Sequence, residues 1–175
     1  ATGDELHYPS GFDEVISVSG TIFNEERNEE TFWPLSSFGV TVDIAAPASD
    51  IFTTFIRDID GSPAFGRIQG TSFSAPMVAS AIGLLFSIRG KLPPRQVQGL
   101  LASTADDISI EGWDHFTGAG RLNIFKLLSF SGSSTAEILS PVNDEGASGD
   151  QVSIIGTVLD PEFASFSLSW EEGVK

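Results

Sequence analysis

The stretch that most constrains this chain runs from Gly70 to Ile88. A small Gly70-Thr71-Ser72 turn leads directly into a long apolar segment, in which Ser80 and Ser87 are the only polar residues between Ala75 and Ile88. Such a segment predicts a helix that is apolar on nearly all faces, and so one that belongs inside a domain. Pro76 suits the first turn of that helix, where a missing N–H costs nothing. Ser72 then stands at the positive end of a buried helix, where orphan backbone N–H groups favour a developing negative charge. Two readings are open for its hydroxyl. It can cap the helix, as serine commonly does, or it can act as a nucleophile.

Length and charge narrow the setting. The 175 residues suffice for one domain or one and a fraction. With 24 acidic and 9 basic residues, the formal charge of −15 argues against nucleic acid and anionic membranes as partners. It suits an extracellular or salt-adapted protein. There is no cysteine, hence no disulfide framework and no thiol chemistry. No apolar run is expected to reach the length of a membrane span, and Ala1-Thr2-Gly3-Asp4 has no signal-peptide character. Both ends read as interior positions of a longer protein.

Along the chain, residues 1–11 are loop-like, and Val15-Ile16-Ser17-Val18 predicts a short strand closed by Gly20. Residues 24–30, rich in Glu, predict an exposed loop. Val40 to Ala46 forms a second apolar segment ending at Pro47, Ile51 to Thr54 another short strand, and 58–66 a turn-rich loop. Gly90 is placed to end the long helix. Pro93 and Pro94 open a second helix with Val97, Leu100, Leu101 and Thr104 on one face. Asn123 is placed to cap a short third helix containing Ile124, Leu127 and Leu128. The composition then shifts. Residues 129–135 read as a flexible linker, and 152–158 and 166–170 as strands separated by turns at 143–146 and 160–161.

Gly70-Thr71-Ser72-Phe73-Ser74-Ala75-Pro76 resembles the motif around the nucleophilic serine of subtilisin-like serine proteases. Other segments resemble that family in its own order: Tyr8-Pro9 with Val15 to Gly20, Ser36 to Pro47, Pro94 to Ala105, and Gly118 to Asn123. Together they cover about residues 1–130 and resemble the C-terminal half of the catalytic domain. The implied fold is α/β, the C-terminal half of a three-layer subtilisin-like fold with a mostly parallel sheet. A linker at 131–135 and a truncated all-β segment at 136–175, similar to the start of an Ig-like or fibronectin-like domain, would follow.

The resemblance implies a secreted serine endopeptidase whose signal peptide lies upstream and whose acyl-enzyme forms on Ser72. The Asp and His of the triad belong to Asp-x-Gly and His-Gly-x-His segments that are absent here. Neither His7 nor His115 has the flanking glycines of the catalytic histidine. His7 falls where the family lines the floor of the substrate side-chain pocket, and an exposed loop histidine is the other reading. The oxyanion hole would use the Ser72 backbone N–H beside Thr71, with Asp4 at the usual asparagine position. An ionised carboxylate there donates no hydrogen bond, so a catalytically impaired binding or scaffold module is the alternative function. Asp43 reads as a structural acceptor near a strand end. Asp58 and Asp60 read as an acidic turn, not a calcium loop. No cofactor is implied for these residues, and the family's calcium is assigned to none of them. The implied partners are protein or peptide substrates and the N-terminal half of the catalytic domain.

Overall fold

A parallel pair of short strands, β1 (Val18–Asn24) and β3 (Ile44–Pro47), forms the centre of the molecule, in register from Val18 opposite Ile44 to Thr21 opposite Pro47. This computed structural model describes residues 7–12, 14–56, 61–130, 135–140 and 155–159. Ile44, Ala45 and Ala46 are all buried, as expected of a parallel strand covered on both faces. On the far side of β1, β2 (Glu29–Phe32) runs antiparallel, giving the order β2-β1-β3. Only residues 25–28 of the expected acidic loop form the tip of this hairpin; Asn24 ends β1, and Glu29 and Glu30 pair within β2. The exposed tip turns at Asn28, where φ is +52°, and Asn24 Oδ1 accepts the Arg27 N–H at 3.1 Å.

Three helices share a core with β3. They are α1 (Thr71–Arg89), α2 (Pro94–Thr104) and α3 (Ile124–Ser129). Ile44 and Ala46 of β3 meet Val78, Ala81 and Leu85 of α1, Val97, Leu100 and Leu101 of α2, and Leu127 of α3. The predicted face of α2 is the buried one. Gly90 ends α1, donating its N–H to the Phe86 carbonyl, and Asn123 caps α3 by accepting the Lys126 N–H at 2.9 Å. Two antiparallel hairpins complete the described chain: β4 (Ile51–Ile56) with β5 (Pro63–Ile68), and β6 (Thr135–Ser140) with β7 (Ile155–Leu159).

Several boundaries differ from the sequence reading, each for a local reason. The first strand begins at Val18 and runs through Gly20 to Asn24, because pairing on both sides outweighs the weak strand preference of glycine. Residues 63–66 of the expected loop belong to β5 (Pro63–Ile68), held by the ladder to β4 that local composition does not announce. Thr135, placed in the linker, opens β6. Residues 131–134, the turns at 143–146 and 160–161, the strand at 166–170, and Asp4, Asp58 and Asp60 lie outside the described residues.

α1 departs most from expectation. Ser74, Val78, Ala81 and Leu85 are buried, whereas Leu84 and Ile88, on the flank of that face, are 48% and 62% exposed. Only one side of this apolar helix is covered among the described residues. At 19 residues α1 is also long and apolar enough to cross a membrane, against the expectation that no run would be. Here its buried face packs on β1 and β3 instead.

Candidate active site

The start of α1 is shaped by Gly70, the N-cap, at φ +142° and ψ +145°. That conformation is open to glycine and costly for any residue with a Cβ. The Gly70 N–H donates to the Ala48 carbonyl at 2.7 Å, just beyond β3. Ser74, fully buried, donates its hydroxyl to the Pro47 carbonyl at 3.0 Å. The first turn of α1 is thus tied to the end of β3 at two neighbouring carbonyls. β1 passes beneath it. A Cβ on Gly20 would stand 2.5 Å from Ala48 Cβ and 3.2 Å from Thr71 Cγ2, so only glycine allows this approach.

Ser72 is consequently the second residue of the helix, not its cap, and no side chain caps this end. Its side chain is exposed. The N–H groups of Thr71 and Ser72 belong to the set that a helix start leaves without intrahelical acceptors. Pro76 stands in the second turn, not the first. Its missing N–H removes the i+4 donor for the Ser72 carbonyl. The peptide units on both sides of Ser72 are therefore freer of helical bonding than those deeper in α1.

Ser72 and Thr71 open onto a cavity of about 350 Å³. Its other walls come from the loop before β1, including His7 and Ser17, from Val18, the first residue of β1, and from the Ser36–Val42 segment before β3. His7 and Ser72, distant in sequence, share this space. His115 does not line it. Its ring lies 5.1 Å from Trp113 and its carbonyl accepts the Gly39 N–H. Asp43 accepts the Ser17 N–H at 2.6 Å just before β3, the structural acceptor role read from the sequence. Among the described residues, no hydrogen bond joins Ser72 to a histidine, and no group of three or more His, Cys, Asp or Glu could hold a metal ion.

The sequence reading missed the polar brace behind this site. Arg121 pairs with Glu30 of β2 and with Asp106 Oδ2, the latter at 2.5 Å, and Asp106 also receives Lys126 Nζ and Asn123 Nδ2. Burial pushes the Asp106 carboxyl up, but hydrogen bonds from Lys126, Arg121 and Asn123 outweigh it and hold the group at about 2, below its usual 3.8. The Glu30 and Asp106 carboxylates raise the Arg121 guanidinium in turn. Arg121 also ladders by backbone to Asp106 and Ala45, joining the brace to β3. The acids and Arg121 are too far apart in sequence for their pairing to be read there.

The sequence pattern defining the subtilase family matches residues 1–120. The chain belongs to the subtilase family. It is 33% identical over 147 residues to the cell wall-associated protease of Bacillus subtilis (strain 168), covering 71% of this chain and 15% of that protein. It is 32% identical over 124 residues to thermitase of Thermoactinomyces vulgaris, covering 71% of this chain and 39% of that protein. The chain thus spans less than half the length of these relatives. Among solved structures, MycP1 from Mycobacterium smegmatis is similar, with a TM-score of 0.56 at 28% identity, over 70% of this chain and 32% of that one. Fervidolysin from Fervidobacterium pennivorans, a keratinolytic enzyme related to subtilisin, shares the fold with a TM-score of 0.64 at 24% identity, over 75% of this chain and 22% of that one. The α/β class and the subtilisin-like fold hold over the part of the chain that these structures cover.

Proposed function

We propose that this subtilase chain carries the nucleophile of a serine endopeptidase. The observation that carries the reading is Ser72 itself: exposed, uncapped and second in a helix whose first turn is fixed to β3, at the mouth of a cavity. In the whole protein, Ser72 Oγ attacks the scissile carbonyl and passes its proton to a histidine oriented by an aspartate, both from segments outside these residues. The tetrahedral oxyanion is stabilised by the Ser72 N–H at the positive end of α1, beside Thr71. Collapse expels the amine and leaves the acyl-enzyme on Ser72, which water then hydrolyses.

The substrates are proteins or peptides. An extracellular setting is supported by relatives such as the extracellular serine protease of Serratia marcescens and suits the acidic charge. The β6–β7 hairpin fits the start of a β domain following the peptidase part. Residues 1–175 alone, without the general base, should cleave nothing. In the full-length protein a fluorophosphonate should label Ser72, and Ser72→Ala should abolish labelling. A folded full-length protein that resists the probe overturns the reading.

The second reading, a binding or scaffold module, is motivated by Asp4 at the position of an amide donor. Losing one oxyanion donor costs such enzymes about 10²–10³ in turnover. Asp4→Asn raising turnover by that order would show an impaired enzyme, and no turnover in either form would favour the binding module.

A further inference from the structure

The β4–β5 hairpin wets the wrong side chains. Its antiparallel register sets Phe52 opposite Arg67, Thr54 opposite Phe65 and Ile56 opposite Pro63, so these six share one face. All six are exposed, Phe52 at 65% and both Ile56 and Phe65 at 69%. The other face is the covered one: Ala64 is buried, and Ile51, Thr53, Gly66 and Ile68 are half-buried. The Phe52 and Phe65 rings lie 5.9 Å apart and within 13° of parallel, a paired aromatic platform on the outside of the hairpin. The outer face of an antiparallel sheet is ordinarily polar. A contiguous apolar face in its place marks a surface that another chain covers.

Position and charge say what that chain is. The hairpin leaves and re-enters the fold at the anchor of Ser72. β4 starts at Ile51, just after Ala48, whose carbonyl accepts the Gly70 N–H at 2.7 Å, and β5 ends at Ile68, just before Gly70. Phe65 precedes Ser72 by seven residues, so the two are at most about 25 Å apart, and an extended peptide held at Ser72 reaches the platform within about seven residues. The cation on this face, Arg67, is committed to Asp50, pairing with its carboxylate and donating to its carbonyl at 3.2 Å. The chain as a whole carries −15. A second copy would bring the same charge to the contact, whereas a cationic partner is drawn to it.

We propose that the outer face of the β4–β5 hairpin is a second docking surface for protein substrates, taking an extended apolar segment flanked by Lys or Arg that lies about seven residues from the bond Ser72 attacks. The proposal rests on the peptidase reading of Ser72 for its meaning, and its test reads the two apart. A fluorescent peptide containing Lys-Lys-Leu-Phe-Val-Phe-Lys-Lys is titrated into the full-length Ser72→Ala protein. It should bind about tenfold tighter than peptides with Ser and Gly in place of the apolar core, or with Glu in place of Lys. Phe52→Thr with Phe65→Thr keeps strand preference and should remove that advantage, with thermal melts confirming that folded proteins are compared. In the full-length protein with Ser72 intact, a fluorophosphonate joined to either end of the segment by a spacer of about seven residues is compared with the plain probe. From at least one end the tethered probe should label Ser72 about tenfold faster, and the double variant should lose this gain. No preference for the apolar, basic peptide, a preference unchanged in the folded double variant, or labelling by the plain probe with no gain from the tether overturns the proposal. So does a full-length dimer that the double variant dissociates, which assigns the face to a second copy. Hairpin-dependent binding without labelling by either probe leaves the docking surface standing and removes the peptidase reading alone.

Discussion

The Ser74 hydroxyl donates to the Pro47 carbonyl at 3.0 Å across the junction between α1 and β3. With Gly70 N–H on Ala48 one residue further along, it sets the height and direction of the turn that presents Ser72. Ser74→Ala leaves the Pro47 carbonyl without this donor, at a cost of about 1–2 kcal/mol. The expected outcome is a lower unfolding midpoint in denaturant and slower fluorophosphonate labelling of Ser72 in the full-length protein. Labelling at the wild-type rate would show that the turn holds without this bond.

Gly70→Ala tests the strained entry to the helix. At φ +142° a Cβ should cost about 1–3 kcal/mol and move the Ser72 N–H from its place. Labelling should fall by more than the loss of stability accounts for.

Gly20→Ala tests the layer beneath. The added methyl meets Ala48 Cβ at 2.5 Å, so β1 or the first turn of α1 must shift. Overpacking of this kind costs about 1–3 kcal/mol. Equilibrium unfolding of the full-length variant measures it, and an unchanged midpoint would show slack between the layers.

Asp106 predicts a specific acid limb. Its folded carboxyl sits at about 2, against an unfolded value near 3.8. A depressed carboxylate stabilises fully above its unfolded pKa, and that contribution is lost as pH falls from about 4 through about 2. The shift corresponds to on the order of 2 kcal/mol at neutral pH. Asp106→Asn should lower stability at pH 7 and flatten the decline between pH 4 and 2, as followed by urea unfolding at several pH values. A decline as steep as that of the wild type would assign the acid limb to other carboxylates.

The uncovered side of α1 predicts how residues 1–175 behave in isolation. Leu84 and Ile88 are 48% and 62% exposed, and neither Ser80 nor Ser87, one turn from Leu84, brings a charge to that face. Exposed apolar surface of this kind promotes association. The isolated chain should bind a hydrophobic dye and aggregate, and Leu84→Lys with Ile88→Lys should reduce both. A monomeric chain with a sharp, cooperative melt would contradict the expectation.

Much of the fold was legible in the residues. The apolar run after Gly70, the proline pair before α2 and Asn123 before α3 mark helices through local chemistry, and all three helices form there. Strands were harder. β5 and the outer half of β1 exist because of partners elsewhere in the chain, and pairing leaves little trace in a short window. The same holds for the site. The Gly70–Pro76 motif points to Ser72 from neighbouring residues alone, whereas Arg121 between Glu30 and Asp106 gave no local signal.

By itself the sequence determined the family and the three helices, and singled out Ser72 as the proposed nucleophile, because motif, capping and helical periodicity are written in adjacent residues. Tertiary structure alone decided that Ser72 lies one step inside the helix and not at its cap. It also decided that Pro76 frees the Ser72 carbonyl and, between the two readings open for His7, that it lines a cavity with Ser72 across 65 residues of chain. Those facts depend on how β1, β3 and α1 meet. Close approaches such as Gly20 against Ala48 are settled by packing in three dimensions, where residues far apart in the chain become neighbours.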